Sequence, residues 1–109
     1  VVINHSSTIA LDAAFFGTPV ICIFFRLASH KYPWEYPVFS YSTSHFRYVQ
    51  DSGAVDLPAS MGDLYEAIVN AINYPDEKSR QRKDLVNTLI PILPTAKLIS
   101  ESICKTLNL

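Results

Sequence analysis

Residues 6–8 are Ser-Ser-Thr, and four positions after Thr8 stands Asp12, the one acid between Val1 and Phe25. A hydroxyl-bearing turn that opens a helix is suited to anions. The first helical N–H groups lack intrahelical acceptors, the helix dipole is positive there, and small hydroxyl side chains let a phosphate approach and add donors. Asp12 falls on the same helix face as Thr8, one turn deeper. A carboxylate there would repel phosphate but can accept from the paired hydroxyls of a ribose. Ser6, Ser7 and Thr8 with Asp12 therefore fit a nucleoside diphosphate, with phosphates at the helix tip and sugar hydroxyls one turn down. The plainer alternative is that the hydroxyls only cap the helix and that Asp12 pairs with a local donor.

Other candidates surround this pattern. Arg26 follows the second hydrophobic run and is suited to neutralising a diphosphate oxygen; an ordinary surface arginine is the competing reading. His5 stands beside the turn and is either a donor to phosphate or sugar or a plain strand-end histidine. His45 and Arg47 are further candidate donor contacts. The three histidines, at 5, 30 and 45, lack metal-ligand spacing, so no metal or other cofactor is expected.

The elements that must position these residues follow from pattern. Val1–Ile3 is β-branched and apolar, as in a buried strand. A helix should run from Ser6 or Ser7 to about Phe16, stopped by Gly17 at C′ and by Pro19. It is apolar nearly all round, with Ile9, Ala13 and Phe16 on one face and Leu11 and Phe15 on another, so it calls for cover on more than one side. Val20–Phe25 is apolar at every position, as in a parallel strand buried on both faces. Residues 1–25 thus spell a βαβ unit, with the hydroxyl turn at the carboxyl end of its first strand, where open α/β sheets bind ligands.

Residues 26–50 show no clean period and carry many aromatics and two prolines in 33–37; they read as one long loop. Those aromatics could stack on a base or sugar, but packing against the helices is the better expectation. Ala54–Leu57 suits a short strand. Ser60 and Asp63 mark the start of a helix to about Asn73, with Leu64, Ile68 and Ile72 inward. A helix over 76–90 turns Leu85, Val86 and Leu89 inward and leaves Arg80, Arg82 and Lys83 solvated. Pro91 and Pro94 break it, and Thr95 opens a last helix to about Leu107.

Composition narrows the classes. The chain has 109 residues, 49% hydrophobic and 17% charged, with net charge −1. A typical soluble domain is roughly 25% charged, so the apolar excess asks for a core, a partner surface, or both. With no basic surplus there is no electrostatic footprint for nucleic acid or an anionic membrane. Cys22 and Cys104 read as two reduced, buried thiols in a cytoplasmic protein. The chain opens without Met, directly in a strand, and is expected to be a piece of a longer protein.

The stretch S-S-T-I-A-L-D-A-A-F-F-G-T-P-V-I resembles the donor-binding motif of GT-B-fold glycosyltransferases. There a hydroxyl- or glycine-rich turn precedes a helix bearing an acid, then a Gly and a Pro at the spacing kept here by Asp12, Gly17 and Pro19. It also looks like the C-terminal half of UDP-N-acetylglucosamine 2-epimerases, whose turn is richer in glycine. The Ser-Ser pair and Asp of CDP-glycerol glycerophosphotransferases match Ser7, Thr8 and Asp12. Most nucleotide-sugar transferases of this type carry Glu where this chain has Asp12. The motif-level likeness covers residues 5–21; beyond it only the order of elements agrees.

The resemblance implies an α/β, Rossmann-like C-terminal half of a GT-B fold: a parallel sheet with flanking helices. It divides the chain into a βαβ unit (1–25), a donor loop (26–50), and a short strand with C-terminal helices (51–109). It implies group transfer from a nucleotide-sugar or CDP-polyol donor to a glycan, lipid or wall-polymer acceptor, without obligatory metal. The catalytic base would come from an N-terminal acceptor domain, and the site would lie in the cytoplasm, with room for peripheral association at the inner face of the membrane. A UDP-sugar 2-epimerase is the nearest rival. A non-catalytic α/β module that docks through its apolar helix is the rival of another class.

Overall fold

The computed structural model describes residues 1–5, 7–89 and 95–108, with the side chains of 38, 40, 44, 45 and 95 excluded. Three short strands, β1 (Val2–Asn4), β2 (Val20–Cys22) and β3 (Val55–Asp56), form a parallel sheet in the order β1-β2-β3. The register sets Val2, Ile3 and Asn4 beside Val20, Ile21 and Cys22, and Val20 and Ile21 beside Val55 and Asp56. As the middle strand, β2 is buried at every residue, which is why its sequence is apolar without alternation. The protein is therefore α/β, with helices flanking a small open parallel sheet.

The first connection is helix α1 (Ile9–Phe15). Gly17 at φ +71 ends it. Thr18 N–H donates to the Ala13 carbonyl and Gly17 N–H to the Ala14 carbonyl, the paired bonds of a Schellman stop. Only one side of this nearly all-apolar helix is covered within the described residues. α1 buries Ala10, Ala13 and Ala14, while Ile9, Phe15 and Phe16 are exposed, Phe16 at 79%. Small side chains let α1 approach the sheet and the later helix α5 (Ser79–Leu89) closely, and the large ones are left outside.

The run expected as a strand to Phe25 leaves regular pairing after Cys22. Ile23 N–H still reaches the Asn4 carbonyl and Phe24 N–H the Pro58 carbonyl. Residues 26–50 are not one open loop. A 3-10 turn at Pro33–Glu35 leads into α2 (Pro37–Tyr41) and α3 (Ser44–Asp51). Pro37 occupies the first turn of α2, where a missing N–H costs nothing. Tyr41, Phe46 and Val49 from this region are core residues, whereas Tyr32, Trp34, Phe39 and Tyr48 are exposed.

Helix α4 (Met61–Asn73) begins as the sequence suggests: Ser60 Oγ accepts from Asp63 N–H, and the Asp63 carboxylate accepts from Ala59 N–H. Its buried residue is Ala71, and Ile72 is exposed at 65%. α5 buries Leu85 and Val86 but also Arg82, which was expected to be solvated. Arg82 is on the same face, three and four residues before that pair, and its guanidinium donates to the Pro75 carbonyl at 2.6 Å. Pro91 and Pro94, expected to end that helix, lie outside the described residues.

Helix α6 (Thr95–Leu107) buries none of its described side chains. Cys104 is exposed on it, contrary to expectation, while Cys22 is buried as expected. The radius of gyration, 17.4 Å, exceeds the roughly 13 Å of a compact chain this long, consistent with a last helix outside the core.

Candidate functional site

The carboxyl ends of the strands gather most of the residues singled out by type. β1 ends at Asn4, whose side-chain oxygen accepts from Ser7 N–H at 3.2 Å and fixes the turn. The same amide faces the Cys22 thiol across the sheet, its Nδ2 at 3.6 Å from the sulfur. Burial pushes the Cys22 thiol up to about 11, against hydrogen bonds from Asn4 and Tyr41 that lower it. Buried and with its pKa raised, Cys22 stays a protonated thiol near neutral pH, packed in the core.

The turn itself is partly self-satisfied. Ser7 Oγ accepts from Ile9 N–H at 3.3 Å. Ala10 N–H goes to the Ser7 carbonyl and Leu11 N–H to the Thr8 carbonyl. The fan of unpaired N–H groups expected at the helix tip is therefore largely consumed, because Asn4, the Ser7 side chain and the turn carbonyls supply acceptors. What the turn offers is the exposed hydroxyls of Ser7 and Thr8, with Thr8 making no side-chain cap bond. Ser6 lies outside the described residues. Asp12 is exposed and makes no ion pair or side-chain hydrogen bond among them. The plainer reading is thus half met: Ser7 caps, but Asp12 has no local donor.

His5, directly after β1, is half-buried. Its ring lies 5.3 Å from that of His30 and 6.0 Å from that of Tyr41. Burial first, then the neighbouring His30, holds its pKa below the ordinary imidazole value. His30 Nδ1 accepts from Leu27 N–H at 3.2 Å. Arg26 turns to its own loop: its guanidinium sits 4.7 Å over the Tyr36 ring and donates to the His30 carbonyl at 3.4 Å. That makes it a loop fastener, and no contact ties it to Ser7 or Thr8. Glu35 closes the same loop by accepting from the Lys31 and Tyr32 N–H groups, which lower its pKa.

Arg47, on α3, is exposed and lines an open groove of about 310 Å³ with Phe24 and Tyr41. Phe24 is two residues past β2, so this groove also opens at the carboxyl end of the sheet. Tyr41 links the two regions. Its ring meets His5, Phe24 (5.2 Å) and Phe46 (4.7 Å), and its hydroxyl donates to the Ile23 carbonyl at 3.1 Å. The His45 side chain lies outside the description.

Structure therefore brings together His5, Ser7, Thr8 and, through Tyr41, the groove of Arg47. It leaves Arg26 to its loop. Sequence reasoning missed Tyr41 and Asp51; the three-residue spacing of Phe46 and Val49 puts Arg47 and Asp51 on the outer side of α3, but only the fold sets them beside Phe24 and Tyr41. Among the described residues no three His, Cys, Asp or Glu side chains are grouped to hold a metal, and no helix is long and apolar enough to cross a membrane. Comparison with known proteins returns nothing: no family model, no curated protein and no solved structure matches the chain.

Proposed function

We propose that this chain binds the nucleoside diphosphate of an activated donor, and that it serves a cytoplasmic GT-B-type transferase moving a sugar or polyol phosphate to a glycan, lipid or wall-polymer acceptor. One observation carries the reading. Asp12 is a solvent-facing carboxylate without a partner among the described residues, on the helix that follows the hydroxyl turn, at the carboxyl end of a parallel sheet. An acid retained on an otherwise apolar helix, with no structural pairing, has an acceptor to offer to a ligand. Ser7 and Thr8 hydroxyls would meet phosphate, and Asp12 the ribose hydroxyls. Because Arg26 is fastened to its loop, the charge that developed on a leaving diphosphate would be met by the turn hydroxyls and the helix dipole.

A specific observation favours the docking reading as a second possibility. Ile9, Phe15 and Phe16 are all exposed on or beside α1, with the two phenylalanine rings in edge-to-face contact at 5.3 Å. In a transferase this face would be covered by an acceptor domain.

The test is parallel calorimetric titration of UDP, CDP, GDP and ADP into the wild-type chain and into Ser7→Ala/Asp12→Ala. The reading expects one preferred diphosphate and loss of its binding in the variant, which stays folded. Absence of binding by all four would move the function to the exposed α1 face.

A further inference from the structure

Arg47 and Asp51 stand four residues apart on α3, the spacing at which opposite charges usually pair. They do not pair here. The ion pairs among the described residues are Lys78–Asp56, Arg80–Asp84 and Lys97–Glu101, and neither Arg47 nor Asp51 has another side-chain partner among them. Both line the same space. The groove of about 310 Å³ beside Phe24 and Tyr41 also takes in Gln50 and Asp51. A second groove of about 360 Å³ shares Arg47 and Asp51 with it and adds Tyr48. Tyr48 is 60% exposed.

We propose that this joined groove binds a neutral saccharide ring. The argument is chemical. Arg47 offers only donors and Asp51 only acceptors, while Gln50 offers both. Their formal charges cancel. An anion would meet the Asp51 carboxylate and a cation the Arg47 guanidinium, so neither is favoured. A neutral ligand with neighbouring hydroxyls satisfies both, donating to Asp51 and accepting from Arg47. Phe24 in the first groove and Tyr48 in the second each offer an apolar ring against which the C–H face of a sugar can pack. The volumes lie at the small end of ligand pockets, roughly 300–1,000 Å³.

The groove's place adds to this. It opens at the carboxyl end of β2, and Tyr41 bridges it to His5, which adjoins the hydroxyl turn. As a site for the transferred group the assignment rests on the donor reading above; as a saccharide site it stands without it.

The experiment is backbone-amide NMR of the full chain, titrated with glucose, N-acetylglucosamine, glucuronate, glucosamine, UDP and UDP-N-acetylglucosamine. Neutral sugars are expected to shift residues 47–51, more strongly than glucuronate or glucosamine. Asp51→Asn and Arg47→Gln, both at exposed positions, should each weaken that binding roughly tenfold or more and leave distant signals in place. If UDP-N-acetylglucosamine moves residues 7–12 and 47–51 together, the groove holds the transferred group. If a free sugar moves 47–51 with UDP already bound, it holds an acceptor. Should nucleotides leave 7–12 unmoved while neutral sugars still shift 47–51, the donor reading fails and the groove stands. The proposal is overturned if neutral sugars leave 47–51 unmoved, if charged sugars bind as well, or if neither variant weakens binding.

Discussion

Replacing Tyr41 with Phe removes one oxygen from the point where the turn, β2 and α3 meet. Tyr41 is 2% exposed, and its hydroxyl donates to the Ile23 carbonyl just beyond β2. The ring contacts with His5, Phe24 and Phe46 need no hydroxyl and should survive. The loss is the bond to the Ile23 carbonyl, net about 0.5–1.5 kcal/mol, together with the hydroxyl's interaction with the Cys22 thiol and the added cost of a half-buried carbonyl without that donor, which brings the total to about 1–3 kcal/mol. Tyr41→Ala would also empty the ring's space and should cost about 3–5 kcal/mol. Urea unfolding followed by circular dichroism reads both. The Phe variant should lower the midpoint with an unchanged slope, since the surface exposed on unfolding barely changes. A Phe variant as stable as wild type, or one as damaged as Ala, would refute the division between hydrogen bond and packing drawn here.

Three further outcomes follow from local structure. Gly17→Ala should cost about 1–2 kcal/mol by urea midpoint, because φ is +71 and only backbone strain is at stake: an added Cβ meets nothing within 4 Å. Under native conditions iodoacetamide should label Cys104 and spare Cys22, which is buried with its thiol pushed up to about 11; denaturant should expose both to labelling, and mass spectrometry counts them. Stability should fall as pH drops from neutral into the mildly acid range. The His5 pKa is depressed in the folded state, so the unfolded chain takes up the proton first and stability is full only above the ordinary imidazole value. The fall should be smaller in His5→Gln. The lowered Glu35 pKa adds a separate loss below the ordinary carboxylate range.

Much of the frame was legible because it is written in local pattern. The Gly17 stop and the Ser60–Asp63 start act through backbone hydrogen bonding that neighbours do not override, and the apolar run reads as a strand through burial on both faces, though its regular pairing ends at Cys22. Residues 26–50 were opaque because two prolines and scattered aromatics mask two short helices, one of which uses Pro37 as its first residue. Arg82 was misjudged by type: its spacing to Leu85 and Val86 is that of the inward face, and the Pro75 carbonyl satisfies one guanidinium nitrogen while the buried Nε has no hydrogen-bond partner among the described residues. The turn was legible as hydroxyl-rich, but the Asn4 side chain's claim on the Ser7 N–H needed the folded chain. The Arg47–Asp51 groove could not be read from sequence, since it depends on how α3 lies against Phe24.

The central claim is that Asp12 accepts from a ribose whose diphosphate rests on the turn. The direct measurement is a double-mutant cycle, in which the preferred nucleoside diphosphate and its 2′,3′-dideoxy analogue are titrated into wild type and Asp12→Ala. The account predicts that removing the hydroxyls weakens binding to wild type by roughly tenfold or more and has little further effect in Asp12→Ala, with both proteins equally stable. Equal losses in both proteins, or no diphosphate binding at all, would contradict it.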